Sequence, residues 1–150
     1  AGDPAFATVE MECLRRLRAV FTSAEIAVVY GSTEAYPIAW TGAAEAEKMA
    51  ALAPPCPGAF WAGRPHPALR LRVLRPGPGL PEDAPPGEPG ELAVSGPQVV
   101  RSYFGDADGS LAARFKFAGP DGALWYRTGD LGVLRDGGVR LAGRARERSA

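Results

Sequence analysis

The chain has 150 residues, of which 46% are hydrophobic, and its 17 basic and 17 acidic side chains leave no formal net charge. This length and apolar content suffice for a hydrophobic core and argue against an intrinsically disordered protein. The charge balance gives no reason to expect binding to nucleic acid or to an anionic membrane. No apolar run approaches the roughly 20 residues that span a bilayer, so no membrane span is expected.

Cysteine and histidine are scarce. Cys13 and Cys56 show neither a disulfide framework nor metal-ligand spacing, which favours a reduced, cytoplasmic setting. His66 is the single histidine, so a site with several histidines is excluded. A Ser–His–Asp triad would have to use His66, which lies between two prolines and is expected to be a plain loop residue.

The first predicted element is a helix. Asp3-Pro4 is typical of a helix start, because Asp accepts hydrogen bonds at the N-cap and Pro fits the first helical position. Apolar residues at steps of three and four then predict an amphipathic helix over about residues 5–20, with this stripe packed in the core. The stripe consists of Phe6, Val9, Cys13, Leu17 and Val20.

A continuous apolar run follows at residues 26–30 and ends at Gly31. Such a run is typical of a strand that is buried on both faces, as in a parallel sheet. Ligands of open α/β sheets bind beyond the carboxyl ends of strands, which is where Gly31-Ser32-Thr33-Glu34 would lie. Residues 43–53 predict a second helix, ended by Pro54-Pro55.

The sequence pattern changes near residue 58, from predicted helices to predicted short strands. Short alternating apolar segments, at residues 69–74, 91–94, 124–126, 131–134 and 139–142, are separated by turn signals such as Asp121-Gly122 and Asp136-Gly137. They predict antiparallel β structure over 58–145, with a helical patch near 107–115 and a stiff surface loop over 76–90. The predicted fold class is therefore α/β, more narrowly an α+β fragment. A helix–strand–helix piece of a parallel sheet layer over 1–57 is followed by an antiparallel β-rich subdomain over 58–145.

Three polar clusters could carry chemistry. In Tyr30-Gly31-Ser32-Thr33-Glu34, glycine permits close approach of a ligand, the hydroxyls and backbone donors suit an anion, and a carboxylate suits Mg²⁺. Tyr30 could stack on a base. Taken alone, the pentapeptide is better interpreted as a capped turn after a strand.

The other two clusters lie near the end of the chain. Asp130, after Thr128-Gly129, could accept hydrogen bonds from the two hydroxyls of a ribose, or could be a solvated residue of a hairpin turn. Arg144, after Gly143, could reach a ribose or a phosphate. Taken alone, Arg144 could also simply begin a charged stretch.

The order and spacing of these clusters are far more specific than any one of them. Tyr-Gly-Ser-Thr-Glu (30–34), Gly-Glu-Leu (90–92), Ser-Gly-Pro (95–97), Tyr-Arg-Thr-Gly-Asp-Leu (126–131) and Gly-Arg (143–144) occur in this order. The series is similar to the core motifs of the adenylate-forming superfamily, which includes acyl-CoA synthetases, luciferases and nonribosomal-peptide adenylation domains. Ala1-Gly2 and the following helix resemble the segment that precedes the first motif.

The resemblance implies a role for each matching residue. Tyr30 would pack against adenine with Gly31 and Ser32 beside it, and Gly2 would lie near the adenine and the acyl pocket. Thr33 would contact the α-phosphate, and Glu34 would bind Mg²⁺. Asp130 would hold the ribose hydroxyls, and Arg144 would contact the ribose near a hinge. Residues 90–97 would place strands.

The implied activity is ATP-dependent formation of an acyl-adenylate from a carboxylic acid, followed by transfer of the acyl group to CoA or a carrier thiol. The family's upstream phosphate loop and its C-terminal domain with a catalytic lysine have no counterpart here, and neither Lys48 nor Lys116 matches that lysine. We therefore expect a fragment that lacks the N-terminal half and the C-terminal domain of a parent chain. Residues 146–150 would begin the hinge, and the isolated chain would be nearly inactive.

Several alternatives remain open. The runs at 96–104 and 32–37 lean toward a fatty or other hydrophobic acid, and the insert near 41–62 resembles β-lactone synthetases of olefin biosynthesis. The chain could instead be a non-catalytic remnant that binds nucleotide. An unrelated β-rich protein with accidental motifs would require Glu34 and Asp130 to lie far apart.

Overall fold

The structure is a computed structural model, and it describes residues 11–52, 59–75 and 81–145. The elements, in chain order, are α1 (Met11–Val20), β1 (Ala27–Ser32), β2 (Ala35–Gly42), α2 (Ala43–Ala50), β3 (Phe60–Pro65), β4 (Arg70–Leu74), β5 (Gly90–Ser95), α3 (Ser110–Phe115), β6 (Lys116–Ala118), β7 (Leu124–Arg135) and β8 (Gly138–Arg144). No helix in these ranges is both long and apolar enough to cross a membrane.

The strands of these residues form one eight-stranded sheet in the order β1-β2-β3-β8-β7-β5-β4, with β6 paired to β7. All its ladders are antiparallel. The mixed α/β class with an antiparallel β-rich part is therefore confirmed. The sheet runs on across the predicted boundary at 57–58 through the β2–β3 pairing, and the division into two units stays a prediction.

The sheet curves so that its first hairpin packs against strands that are distant in the pairing order. Ala35 and Ile38 of β2 share a buried cluster with Val94 of β5 and Tyr126 of β7. The ring of Tyr30 packs against this cluster and against a second one that includes Leu92. This packing brings the end of β1 close to the middle of β7.

The predicted parallel strand at 26–30 is wrong in two respects. β1 pairs with β2 in antiparallel fashion, and its residues alternate, with Val28 buried and Val29 exposed. A short apolar run does not by itself distinguish a strand covered on both faces from one at a sheet edge. The prediction also missed β2, where Pro37 weakens the strand signal.

The predicted helix is present as α1 over the described part, whereas residues 5–10, with Phe6 and Val9, lie outside it. The assigned core face is wrong. Leu14 is 2% exposed and packs with Val28, while Leu17 and Val20 of the predicted stripe are 37% and 71% exposed and Cys13 is exposed. The side of α1 that packs against the core therefore carries Leu14, the neighbour of Cys13, and not the predicted stripe.

Most of the other predicted elements are present. α2, α3, β4, β5 and β8 lie where patterns predicted them, although α2 ends at Ala50. At the β7–β8 hairpin, Asp136 and Gly137 have φ of 57° and 72°, the left-handed backbone of a two-residue turn. The segments at 124–126 and 131–134 are a single strand, β7, and β3 and β6 were not predicted.

Candidate functional site

The first motif forms the turn of the β1–β2 hairpin. Ser32 pairs with Ala35, so Thr33 and Glu34 are the two turn residues. The turn is attached to the segment after β5, because Val100 N–H donates to the Glu34 carbonyl at 2.8 Å and Ala35 bridges Val99. The motif therefore connects two antiparallel strands and does not follow the end of a parallel strand.

Gly31 is required by the hairpin itself. A Cβ at this position would lie 2.8 Å from Tyr36 Cδ2 and 2.9 Å from the Ala35 carbonyl oxygen, closer than real Cβ contacts. The absence of a side chain thus lets the second strand fold back over the first. Close approach of a ligand to Gly31 stays a prediction.

The Thr-Gly-Asp motif lies in the middle of β7 and forms a bulge, so the alternative interpretation as a hairpin turn with a solvated Asp130 is wrong. Glu91 of β5 pairs with Leu131 of β7, and Ala93 pairs with Arg127. β7 therefore has more residues than β5 between these two pairs, which is a β-bulge. Gly129 within this bulge has φ of 72°. The bulge turns residues 128–130 out of the regular ladder.

Two contacts to β5 fix this bulge. The Thr128 hydroxyl donates to the Leu92 carbonyl at 3.0 Å and accepts from the Asp130 N–H at 3.1 Å. The Arg127 guanidinium donates twice to the buried Glu91 carboxylate. The segment over 90–97 therefore supports the Thr-Gly-Asp motif through β5.

Asp130 is the meeting point of the three motif clusters. It is 6% exposed. Its Oδ2 accepts from the Tyr30 hydroxyl at 2.7 Å, across 100 residues of sequence, and its Oδ1 accepts from Arg144 Nη1 at 2.7 Å. Asp130 and Arg144 also face each other as Cα partners of the β7–β8 ladder. One carboxylate thus joins β1, β7 and β8.

The electrostatics of this cluster keep the Tyr30 phenol protonated. Burial, reinforced by the charge of Asp130, raises the pKa of Tyr30 well above its usual range. The hydrogen bond to Asp130, followed by its charge, raises the pKa of Arg144. Both groups are therefore donors to the Asp130 carboxylate at neutral pH.

Glu34 lies on the same hairpin as Tyr30. Thr33 Oγ1 donates to its Oε2 at 3.1 Å, and the Tyr103 hydroxyl donates to its Oε1 at 3.3 Å. Burial would raise the pKa of this carboxyl, but hydrogen bonds from its own backbone N–H and from Thr33 and Ser32 outweigh burial and leave the pKa lowered. Glu34 is thus an ionised carboxylate at neutral pH.

Two tyrosines complete the neighbourhood. Ser32 Oγ donates to the Tyr126 hydroxyl at 3.4 Å, so Tyr126 of β7 lies beside the motif turn. Burial, with the nearby charge of Glu34, raises the pKa of Tyr103 to about 12. Burial, with the charges of both Glu34 and Asp130, raises the pKa of Tyr126, so the two carboxylates lie near the same side chain and are not far apart in the fold.

The structure brings together all the predicted site residues that it describes, from Tyr30 to Glu34 with Asp130 and Arg144. Gly2 lies outside the described residues. Sequence reasoning missed Tyr103 and did not single out Tyr126. Tyr126 precedes the Thr-Gly-Asp motif by two positions and could have been found, but nothing in the sequence pairs Tyr103 with Glu34.

A metal ion at Glu34 would need further ligands besides the side chains that the structure describes. Across residues 11–52, 59–75 and 81–145 there is no group of three or more His, Cys, Asp or Glu side chains that could hold a metal ion. Mg²⁺ in phosphate-transfer sites is commonly held by one or two carboxylates plus substrate phosphates and water. The ionised Glu34 carboxylate fits that donor set.

Known proteins match this chain in sequence and in structure. Atromentin synthetase invA1 of Paxillus involutus is 38% identical over 85 residues, which are 57% of this chain and 8% of that protein. The structure resembles o-succinylbenzoate CoA synthetase from Bacillus subtilis in complex with AMP, with a TM-score of 0.60, 25% identity and coverage of 93% of this chain and 25% of that one. It also resembles the amide bond synthetase McbA from Marinactinospora thermotolerans, with a TM-score of 0.66, 23% identity and coverage of 93% and 25%.

The chain thus spans less than a tenth of the length of the curated relatives it matches. A family model described as AMP-binding enzyme matches residues 6–104, which include the Tyr-Gly-Ser-Thr-Glu hairpin. The match covers about two-thirds of the chain and includes Glu34. Asp130 lies beyond the matched residues. The chain therefore belongs to the AMP-binding enzyme family, whose members include adenylate-forming ligases.

Proposed function

We propose that this chain supplies the adenosine side of the active site in an enzyme that activates a carboxylic acid with ATP. The observation that carries the proposal is the junction at Asp130. A buried carboxylate accepts hydrogen bonds from Tyr30 and Arg144, residues of the two other motif clusters. Arg144 is the cross-strand partner of Asp130 in the β7–β8 ladder, whereas Tyr30 comes from the first hairpin, 100 residues away in sequence.

The ribose would bind at Asp130. Each carboxylate oxygen has two lone-pair positions, and one on each is used by Tyr30 and Arg144. The remaining positions suit the two hydroxyls of a ribose, which are adjacent donors. Arg144 is about half-exposed and can adjust to a nucleotide. The surface of Tyr30 that is not covered by the core would pack against adenine.

The phosphates would lie toward the hairpin turn. Glu34 would hold Mg²⁺ together with phosphate oxygens. The backbone N–H of exposed Thr33, and its hydroxyl after release from Glu34, would donate to the α-phosphate. Mg²⁺ supplies neutralisation of the charge that develops on the phosphates. The chain's own contribution is to hold the nucleotide in a fixed position, which lowers the entropic cost of the reaction.

In the whole enzyme, the substrate carboxylate would attack the α-phosphorus of ATP, and the bond to pyrophosphate would break, giving an acyl-adenylate. The sulfur of a thiol would then attack the acyl carbon, the bond from that carbon to the phosphate oxygen would break, and AMP and the thiol proton would leave, giving an acyl thioester. We propose CoA or a carrier thiol as the acceptor; the similar structures include a CoA synthetase with its acyl-adenylate and McyG A-PCP complexed with phenylalanyl-adenylate. A hydrophobic acid remains our preferred substrate class, although the matched atromentin synthetases do not support a fatty acid.

Calorimetric titration with ATP and with AMP tests the proposal. Asp130→Asn keeps the shape of the side chain and removes its charge, and we expect it to weaken AMP binding by about tenfold or more. Asp136→Asn is the matched control, because Asp136 is exposed in the β7–β8 turn, where Asn is equally suited. Equal affinity for AMP in the two variants would contradict the proposed ribose site.

A second candidate is a non-catalytic nucleotide-binding protein. It is favoured by the similarity to a relative named inactive atromentin synthetase invA3, which is 36% identical over 85 residues. Acid-dependent exchange of pyrophosphate into ATP by the full-length protein separates the candidates. Exchange supports the ligase, whereas AMP binding without exchange for any of a panel of acids supports the non-catalytic candidate.

A further inference from the structure

A buried lysine next to the motif turn has no assigned role. Lys116 is the first residue of β6 and the Cα partner of Tyr126. It is 9% exposed, and its Nζ finds no hydrogen-bond partner among the residues that the structure describes. A buried ammonium without a partner destabilises a protein, so a compensating interaction is expected nearby.

That interaction is with an aromatic ring. Lys116 Nζ lies 4.0 Å from the centroid of the Tyr103 ring, well within the ~6 Å range of a cation–π contact. The hydroxyl of the same ring donates to Glu34 Oε1 at 3.3 Å. One aromatic side chain therefore separates the ammonium from the carboxylate of the first motif.

The ring has few other anchors. Tyr103 lies in the irregular segment between β5 and α3, and the neighbouring Phe104 is fully exposed. Tyr103 is only partly buried, so packing alone leaves the ring free to turn. The contact with Lys116 on one face and the hydrogen bond to Glu34 at the edge together define one orientation.

We propose that Lys116 is a positioning residue for Glu34. Its ammonium holds the Tyr103 ring, and the ring hydroxyl holds the carboxylate in the orientation that meets the metal-bearing phosphates of ATP. The role in nucleotide binding rests on the proposed function of Glu34. The arrangement of the three side chains without nucleotide does not depend on that function.

The test uses four test variants, one control variant and two readouts. Lys116→Met keeps the length of the side chain and removes the charge, whereas Lys116→Arg keeps a cation that also binds aromatic faces. Tyr103→Phe removes the hydroxyl, and the double variant combines this change with Lys116→Met. Lys48→Met is the control, because it removes the same charge from the exposed side of α2.

The first readout is the carboxyl ¹³C signal of Glu34 in the chain without nucleotide, assigned with Glu34→Gln. We expect Lys116→Met and Tyr103→Phe to shift it, and Lys116→Arg and Lys48→Met to leave it in place. Within the Tyr103→Phe background, Lys116→Met should add no further shift, because the lysine acts through the hydroxyl. The second readout is affinity for Mg·ATP, which should fall about fivefold in Lys116→Met and recover in Lys116→Arg.

An unchanged Glu34 signal in Lys116→Met, with a lowered melting temperature, would make the lysine purely structural and overturn the proposal. Should Lys116→Met fail to fold, an unchanged signal in Tyr103→Phe overturns it equally. Absence of Mg·ATP binding in the unmodified chain counts against the proposed function, and the Glu34 signal still decides the role of Lys116.

Discussion

At the scale of single residues, the site depends on a few side chains that serve two partners at once. Asp130 accepts from Tyr30 and Arg144, and Thr128 both donates to β5 and accepts from the Asp130 backbone. Loss of one such group leaves two partners unsatisfied. Small substitutions at these positions should therefore have larger effects than their size suggests.

Thr128→Val tests this coupling. Valine has nearly the shape of threonine but cannot replace either hydrogen bond, and Thr128 is buried. We expect the free energy of unfolding to fall by about 1–3 kcal/mol, measured by chemical denaturation. AMP affinity should fall as well, because the bulge that presents Asp130 loses its anchor.

The control for this variant is Thr22→Val, since Thr22 is an exposed loop residue. Its effect should stay within about 0.5 kcal/mol. Similar losses of stability in both variants would mean that the hydroxyl of Thr128 does not hold the bulge.

Alkaline pH tests the contact between Tyr30 and Asp130. The pKa of Tyr30 is raised in the folded state by burial and then by Asp130, so the unfolded chain releases its phenol proton first. Above pH of about 10 the unfolded state binds fewer protons than the folded state, and stability therefore falls as pH rises.

Tyr30→Phe removes this contribution and should make the fall in stability above pH of about 10 less steep. Tyr36→Phe, which removes an exposed phenol, is the comparison. Denaturation midpoints between pH 9 and 11 (a window of roughly one unit either side of an ordinary tyrosine pKa) give the measurement. A slope in Tyr30→Phe that matches the unmodified chain would refute the assigned contact.

At the scale of elements, the sequence predicted those whose signals are local. The Asp136-Gly137 dipeptide specifies the β7–β8 turn through its left-handed backbone, and alternation predicted β4, β5 and β8. The order of motifs predicted that Tyr30, Asp130 and Arg144 would share one nucleotide site, whereas the hydrogen bonds among these side chains were not predicted. These features follow from a few neighbouring residues or from the resemblance.

Features set by distant contacts could not be predicted. The bulge at Gly129 arises from register against β5, and the antiparallel partner of β1 contains Pro37. The core face of α1 depends on where Val28 lies. The register of the bulge and the core face of α1 depend on residues of other elements, which local patterns do not reveal. β2 directly follows β1 and was missed because Pro37 weakens its strand signal.

The corrected face of α1 leads to a prediction. Leu14→Ala should lower the free energy of unfolding by about 2–4 kcal/mol, because it removes a buried side chain that contacts the core. Leu17→Ala, in the stripe that the sequence favoured, should cost less than about 1 kcal/mol. Thermal and chemical denaturation of both variants give the comparison, and a larger loss in Leu17→Ala would restore the original stripe as the core face.

At the scale of the whole molecule, the curvature of the sheet brings the residues of the site together. β1 and β7 are separated by three strands in the pairing order, yet Tyr30 reaches Asp130 because the first hairpin packs on the cluster around Val94 and Tyr126. The hairpin and the β-rich part are thus coupled through the hydrophobic core. Binding of a nucleotide at Asp130 would stabilise both parts together.

The central claim is that the motif clusters form one nucleotide site, and the amide NMR spectrum of the chain titrated with AMP tests it most directly. We predict that the largest shifts fall at residues 30–34, 128–130 and 144, and that Asp130→Asn removes them while Asp136→Asn does not. Shifts confined to other surfaces, such as the exposed side of α1, or a spectrum unchanged at saturating AMP, would contradict the claim.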